Sequence, residues 1–381
     1  MKICHITSMH RNFDDRVFER ACRASADEGH NVTLITTHDK YETVGDVKIV
    51  PLRPRTGLKR RILSSLDAFR KALTIKADIY HFHDPDLLPW MLILQLMGKN
   101  VVYDIHDNYI VRFYEWNLPH LLRDRFAAIY RGLENFCISR FQGIVTTTES
   151  MGELFEKSAH NRVVIHNVVY VERMQDIDVS VPRHTHPDLV ISGTNADSRN
   201  SRKIVKALKI INEQFPEVKL RFIGRYDPES YEQILSDLAE KIGVRDNLIL
   251  EGMVPWEENF TRMSRSHIGC VFYKDNLNNR VTTPNRLYEY MFCGLPILVD
   301  DFPELRKIVT ETNCGIIVDS SSPRSIADGA LQLLEDPERA MIMGCNGREA
   351  ILNKYNFKSE LCGMIRMYHK IVQEHRESNH Y

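Results

Sequence analysis

The strongest constraint in this chain is a rhythm that begins at its first residues, in which short apolar runs alternate with amphipathic stretches. The spacing predicts a strand over 3–7, an amphipathic helix over 15–28 and a second strand over 31–36. Further strands are predicted at 47–51, 79–83, 101–105 and 143–146. Short apolar strands separated by helices pair in parallel and are covered on both faces. The pattern weakens between Val169 and Pro187 and then restarts, with strands predicted at 189–192, 218–224, 248–251, 269–273, 296–299 and 315–318. A last helix is expected over about 358–374, after Tyr355-Asn356-Phe357. A chain of 381 residues exceeds one ordinary core, so the reading is α/β with two doubly wound halves. Ligands of such sheets sit at the carboxyl ends of the strands, which confines the search for function to the residues just after each strand.

Bulk properties exclude several classes. The net charge of -1 does not predict a nucleic-acid partner, so an anionic ligand must be met by local basic clusters. Eight cysteines lie far apart with no Cys-x-x-Cys pair, which argues against a zinc knuckle, a redox pair or a secreted disulfide framework. The first residues read as a buried strand rather than a signal peptide, and no run has the length of a membrane span. The expected location is cytoplasmic.

The densest candidate segment is Asn276 to Pro296. Pro284 early in a helix leaves backbone N–H groups at a positive helix end, which suits a phosphate. Arg286 adds a forked donor, and Glu289, one turn on, offers two acceptor oxygens to a ribose diol. By local spacing alone, an ordinary capped helix with a surface Arg and Glu explains these residues better.

The wider sequence changes that balance. Pro284-Asn285-Arg286-Leu287-Tyr288-Glu289-Tyr290-Met291, followed by Cys293-Gly294-Leu295-Pro296, resembles the donor-binding signature of glycosyltransferase family 4 in its bacterial polysaccharide and lipopolysaccharide branch. The likeness extends through Asp301-Phe302-Pro303-Glu304, Cys314-Gly315-Ile316 and Lys354-Tyr355-Asn356-Phe357. It also covers Phe82-His83-Asp84-Pro85-Asp86-Leu87-Leu88-Pro89, Tyr103-Asp104-Ile105-His106-Asp107 and Thr147-Thr148-Glu149-Ser150. The resemblance implies a GT-B fold, two Rossmann-like domains facing a central cleft. The acceptor-binding domain would span 1–175, with the 358–374 helix packing back on it, and the donor-binding domain 186–356. It implies a metal-independent, retaining transfer of sugar from a nucleotide-diphosphate donor, with no cofactor, to a saccharide or lipid-linked acceptor.

On the donor side, the resemblance points to Gly193, Thr194, Arg199, Lys203, Gly224, Glu251, Thr283, Pro284, Asn285, Arg286 and Glu289, with the nucleobase near Glu251-Gly252-Met253 held largely by backbone. Two departures stand out. The family's first glutamate, eight positions before Glu289, falls at Val281, and a common Arg after the first strand of this half is Thr194. Arg199 matches the phosphate-facing cation, and Arg286 is expected to replace the missing partner, with Arg280 as the other candidate and Arg202 and Lys203 in reserve. Such cations stabilise the charge that builds on a departing phosphate. On the acceptor side the resemblance selects His106 as the catalytic-half candidate, with His10, Asp15, Arg16, His83, Asp84 and Asp107 around it. A loop-shaping role for His83 and Asp84 is equally compatible with their position. Asp84-Pro85-Asp86 superficially matches an Asp-x-Asp metal motif, but its surroundings match the metal-free family, so no metal is expected.

A basic amphipathic segment at 52–71 carries seven basic residues and one acid, 7 − 1 = +6, and Phe113, Trp116, Leu118, Leu121 and Leu122 form a second apolar stretch. Either an anionic membrane or a solvated basic face with its apolar side on the core accounts for them. Competing functions are a nucleotide-sugar epimerase of the same fold and a non-catalytic nucleotide-sugar-binding protein.

Overall fold

The computed structural model describes residues 1–11, 13–55, 59–114 and 119–378, with Arg11, Asp15, Lys59 and Arg60 described by backbone alone. It divides into two units, 1–166 with 357–381, and 167–356.

The first unit is built on β1 (Lys2–Arg11), β2 (Asn31–Thr37), β3 (Glu42–Val44), β4 (Val47–Leu52), β5 (Ile79–Phe82), β6 (Val101–Ile105), β7 (Gly143–Thr146) and β8 (Arg162–Val164). Their order is β3-β4-β2-β1-β5-β6-β7-β8, and only the β3–β4 pair is antiparallel. β3 and β8 escape the sequence pattern because each is three residues long and none of their residues is fully buried. β5, β6 and β7 are buried along their whole length, as strands covered on both faces must be.

The 15–28 helix differs from expectation. Asp14 caps it by accepting from the N–H of Arg16 and Val17, but the segment Asp15–Arg23 is a π-helix, and only Ala24–Asp27 is an α-helix. Arg16 and Arg20 on this segment are buried.

The second unit carries β9 (Asp188–Ser192), β10 (Lys219–Ile223), β11 (Leu248–Glu251), β12 (Ile268–Val271), β13 (Ile297–Asp300) and β14 (Gly315–Val318). They form one parallel sheet in the order β11-β10-β9-β12-β13-β14. Its core joins Leu189, Phe222 and Cys270 to Ile204 and Leu208 of the Ser201–Asn212 helix and Ala330 of the Pro323–Glu335 helix.

The boundary falls before residue 175, at 166/167. Asn167 belongs with the second unit through Asn167 Nδ2 to the carbonyl of Thr283, 2.7 Å, as does Arg183 through the carbonyl of Gly294, 3.0 Å. The last helix, Phe357–Ser378, belongs to the first unit and packs on β7 and β8. Met367 and Ile371 approach Gly143 so closely that a Cβ there would sit 3.0 Å from sulfur. Glu360 accepts from the N–H of His166 at 2.6 Å.

All eight cysteines are free, and six are buried. Among the described residues, no helix is long and apolar enough to cross a membrane.

Candidate active site

Strand order locates the switch points, where successive connections leave in opposite directions: β1/β5 in the first unit and β9/β12 in the second. Both gather functional side chains.

In the second unit, Gly193 follows β9 and Gly224 follows β10, with φ of +98° and +123°. A Cβ on Gly224 would lie 2.1 Å from the carbonyl oxygen of Gly193, so the two chain segments can touch only as glycine. A Cβ on Gly193 would lie 3.2 Å from Arg286 Nη2, which places the guanidinium over this bare backbone. Arg286 is 6% exposed and stands in the first turn of the Asn285–Phe292 helix, whose N-cap is Pro284. Its Nη2 donates to the carbonyl of Thr194 at 3.4 Å, and its buried Nη1 has no hydrogen-bond partner among the described residues. Tyr273, just beyond β12, lies between two cations: Arg199 Cζ is 3.9 Å from its ring centre and Arg286 Cζ 5.6 Å. Arg286 therefore lies beside the main chain of Thr194 and over the ring of Tyr273.

Other donor-side candidates are placed differently. Arg280 is exposed and paired with Asp275 at 2.5 Å, which takes it out of the cationic group. Arg202 pairs with Asp197, also at 2.5 Å, while Lys203 is partly exposed on the same helix. The Glu251 carboxylate is held by Arg221 and Arg262, which leaves the backbone at 251–253 and the exposed side chain of Met253 open to a ligand. The hydroxyl of Thr283 faces the hydroxyl of Tyr288 at 3.1 Å and its carbonyl serves Asn167, so its side chain is structural. Asn285 and Glu289 are partly buried on the helix of Arg286, and Val281 is half-buried with no carboxylate at its position.

In the first unit, side chains alternate across a strand with period two, and the parallel register sets His5 of β1 beside His81 of β5. His83 and Asp104 follow on the same face, with His106 two residues beyond Asp104. The result is a buried chain of contacts: His5 Nδ1 to His83 Nε2 at 3.1 Å, His83 Nδ1 to Asp104 Oδ2 at 3.2 Å, and His106 Nε2 to the same oxygen at 3.1 Å. Arg16 Nη2 holds the other oxygen, Asp104 Oδ1, at 2.8 Å. Tyr368 of the last helix hydrogen-bonds His81 Nδ1.

Burial raises the pKa of the Asp104 carboxyl, but Arg16 and His106 overcome that and hold it well below the usual range. Burial likewise pushes the imidazoles of His5 and His83 well down. It also lowers His106, where Asp104 opposes the shift and Arg16 adds to it. A neutral His106 that donates from Nε2 to Asp104 keeps Nδ1 as an acceptor. His83, Asp104 and His106, or His5, His81 and His83, have the donor types to hold a divalent cation. One proton on His5 Nδ1, one on His83 Nδ1 and one on His106 Nε2 complete the observed contacts equally well.

This geometry corrects several acceptor-side expectations. His83 is wholly buried with both nitrogens engaged, so it positions His106 rather than meeting an acceptor. Asp84 shapes the loop: its Oδ2 accepts from Thr7 Oγ1 at 2.6 Å and from the N–H of Ser8 and Met9 at 2.7 and 3.2 Å. Arg16 is directed to Asp104 and to the carbonyl of Ile165 at 3.2 Å. The Asp15 side chain lies outside the described residues. His10 and His106 remain together, with ring centres 5.2 Å apart, and Asp107 is exposed at the turn after β6. Burial lowers the His10 pKa, but Asp14, Asp84 and Asp104 outweigh it and raise the value to about 9.

Sequence reasoning overlooked Tyr273, Asp104, His5, His81 and Tyr368 as members of these clusters. Tyr273 and Asp104 carried a signal, since both lie at strand ends, and Asp104 stands inside a quoted motif. Nothing local marked Tyr368, which sits 287 residues from its partner.

The family described as glycosyltransferase family 4 matches residues 15–173, and glycosyl transferases group 1 matches residues 173–350. The chain is a glycosyltransferase that joins a family 4 domain to a group 1 domain. This glycosyltransferase is 22% identical over 312 residues to a GDP-mannose:cellobiosyl-diphosphopolyprenol alpha-mannosyltransferase of Xanthomonas oryzae pv. oryzae, covering 80% of this chain and 76% of that one. It is 20% identical over 357 residues to a phosphatidyl-myo-inositol mannosyltransferase of Mycolicibacterium smegmatis, covering 91% and 86%. Its structure superposes on sucrose-phosphate synthase from Thermosynechococcus elongatus with a TM-score of 0.74 and 16% identity, over 98% of this chain and 99% of that one. At that identity the likeness speaks for the fold, which is GT-B, with two Rossmann-like parallel-sheet domains.

Proposed function

We propose that this glycosyltransferase transfers a sugar from a nucleotide diphosphate, with retention and without a metal, to a saccharide or lipid-linked acceptor of cell-surface polysaccharide, lipopolysaccharide or glycolipid. The observation that carries the reading is the cationic pair Arg199 and Arg286 around Tyr273, beside the bare backbone of Gly193 and Gly224. Cleaving the anomeric bond places charge on the departing diphosphate. Fixed guanidinium groups and the N-terminus of the Asn285–Phe292 helix stabilise that charge most when it is fully developed. In this reading the second unit binds the donor and Glu289 takes the ribose. The first unit receives the acceptor, with His106 and His10 as its candidate contacts.

The donor class is supported by one relative whose name contains GDP-mannose, and a lipid-linked acceptor by the diphosphopolyprenol and phosphatidylinositol in the names of both. Retention and metal independence are implications of the family resemblance.

A thermal-shift panel of nucleotide sugars identifies the donor, because a ligand that binds only the folded state raises its apparent stability. Release of nucleoside diphosphate from that donor should then require an acceptor, survive chelator and yield a product with the donor's anomeric configuration. Conversion of the donor sugar with no acceptor present would instead indicate an epimerase.

A further inference from the structure

We propose that the outer face of one helical layer of the first unit docks on an anionic lipid surface. The layer consists of three helices, Lys59–Thr74, Leu88–Leu96 and His120–Ile138, the first packed on the second and the second on the third.

The His120–Ile138 helix is apolar on two sides. Ala127, Cys137 and Ile138 face the core. Leu122, Phe126, Ile129, Leu133 and Phe136, 40–68% exposed, recur at alternating steps of four and three and form one outward stripe. The stripe continues onto the neighbouring helix at Ile93, Leu96 and, at its end, Met97, which are 42%, 72% and 56% exposed. The third helix is turned the same way: its small residues Ser64, Ser65, Ala68 and Ala72 are buried, while Ile62 and Leu63 point out beside exposed Arg61. An apolar face continuing over three helices is a binding surface rather than scattered exposure.

Charge selects the occupant. The three helices carry eight basic residues and three acids, 8 − 3 = +5, in a chain whose net charge is -1. Each of the three acids already has a basic partner: Asp67 with Arg55 at 3.1 Å, Asp124 with His120 at 2.9 Å, and buried Glu134 with Arg131 at 3.2 Å. A second copy packing on the stripe would set Arg123 and Arg125 against their own kind, since a twofold interface repeats the same patch. Anionic headgroups meet those arginines with opposite charge while the apolar side chains enter the acyl boundary. Arg140 lies over the ring of Phe136, 5.4 Å from its centre, which places a cation beside an aromatic group at the edge of the stripe. The layer lies on the membrane rather than through it.

Co-sedimentation of the full chain with vesicles tests the proposal without any substrate, so its outcome is independent of the proposed transfer. The chain should sediment with phosphatidylcholine vesicles containing about one-third phosphatidylglycerol, more weakly at high salt, and not with phosphatidylcholine alone. Phe126→Glu with Ile129→Glu should abolish binding, and Arg123→Glu with Arg125→Glu should lower the partition coefficient at least about 30-fold, from about 1 kcal/mol per basic residue. Phe126 and Ile129 are exposed, so thermal unfolding of that variant should match the wild type, whereas Arg123→Glu also removes the hydrogen bond from Arg123 Nη1 to the carbonyl of Tyr114 at 3.0 Å. Wild-type binding by the Phe126/Ile129 variant, or no binding by the wild type, overturns the proposal. So does a concentration-dependent dimer that the same variant dissociates, which would assign the stripe to a second copy.

Discussion

Arg286 Nη2 donates to the main-chain carbonyl of Thr194 over 3.4 Å, joining the first turn of the Asn285–Phe292 helix to the end of β9. The contact anchors one arm of a guanidinium whose Nη1 stays without a partner among the described residues, directed by the same anchor that supplies its position. Arg286→Ala should therefore lower kcat about 10²- to 10³-fold, as loss of a preorganised donor to a developing anion does. Lysine restores the charge but not the fork, so Arg286→Lys should recover only part of the rate. Single-turnover release of nucleoside diphosphate measures both.

Gly224 offers a test of the backbone approach. An alanine Cβ there would lie 2.1 Å from Gly193 O at a φ of +123°, so Gly224→Ala should cost more than about 4 kcal/mol or abolish folding of the second unit. Gly243→Ala is the control. That site also has positive φ, +77°, but nothing within 4 Å, and should cost about 1 kcal/mol. Thermal unfolding of the two variants compares them directly.

His10 should make stability depend on pH. Its folded value of about 9 lies above the ordinary 6.5, so the folded chain binds the proton more tightly than the unfolded chain. The stabilisation is complete below the unfolded value and is lost as pH rises through about 9. Stability should fall by up to about 3 kcal/mol across that window, and His10→Gln should flatten the slope. Denaturation series from pH 6 to 10 read it out.

Tyr368 ties the last helix to the histidine cluster. Tyr368→Phe removes the hydroxyl that His81 Nδ1 meets and leaves a buried ring nitrogen alone, at a cost of about 1–3 kcal/mol. The loss should appear as a lower melting temperature of the first unit, with nucleotide binding by the second unit unchanged.

Much of the candidate donor side was legible because its residues are local. Pro284, Arg286 and Glu289 lie within one and a half turns of a single helix, and the glycines mark strand ends where backbone must approach backbone. The acceptor side was less legible. His83, Asp84 and Arg16 have the right residue types at the right strand ends, yet burial and prior hydrogen bonds commit all three to holding the loop and Asp104 in place. The basic segment also read ambiguously, because period alone does not say which side of a helix faces the core. In the 59–74 helix, the small residues face it.

By itself the sequence determined the two strand-and-helix halves, their strands other than β3 and β8, and the resemblance to glycosyltransferases, since each depends on periodicity or on contiguous motifs. Tertiary structure alone decided which polar groups remain available to a ligand. Arg286 reaches Thr194 across 92 positions and Tyr368 reaches His81 across 287, and such distant pairings decide whether a charged or polar side chain is spent on the fold or left for chemistry.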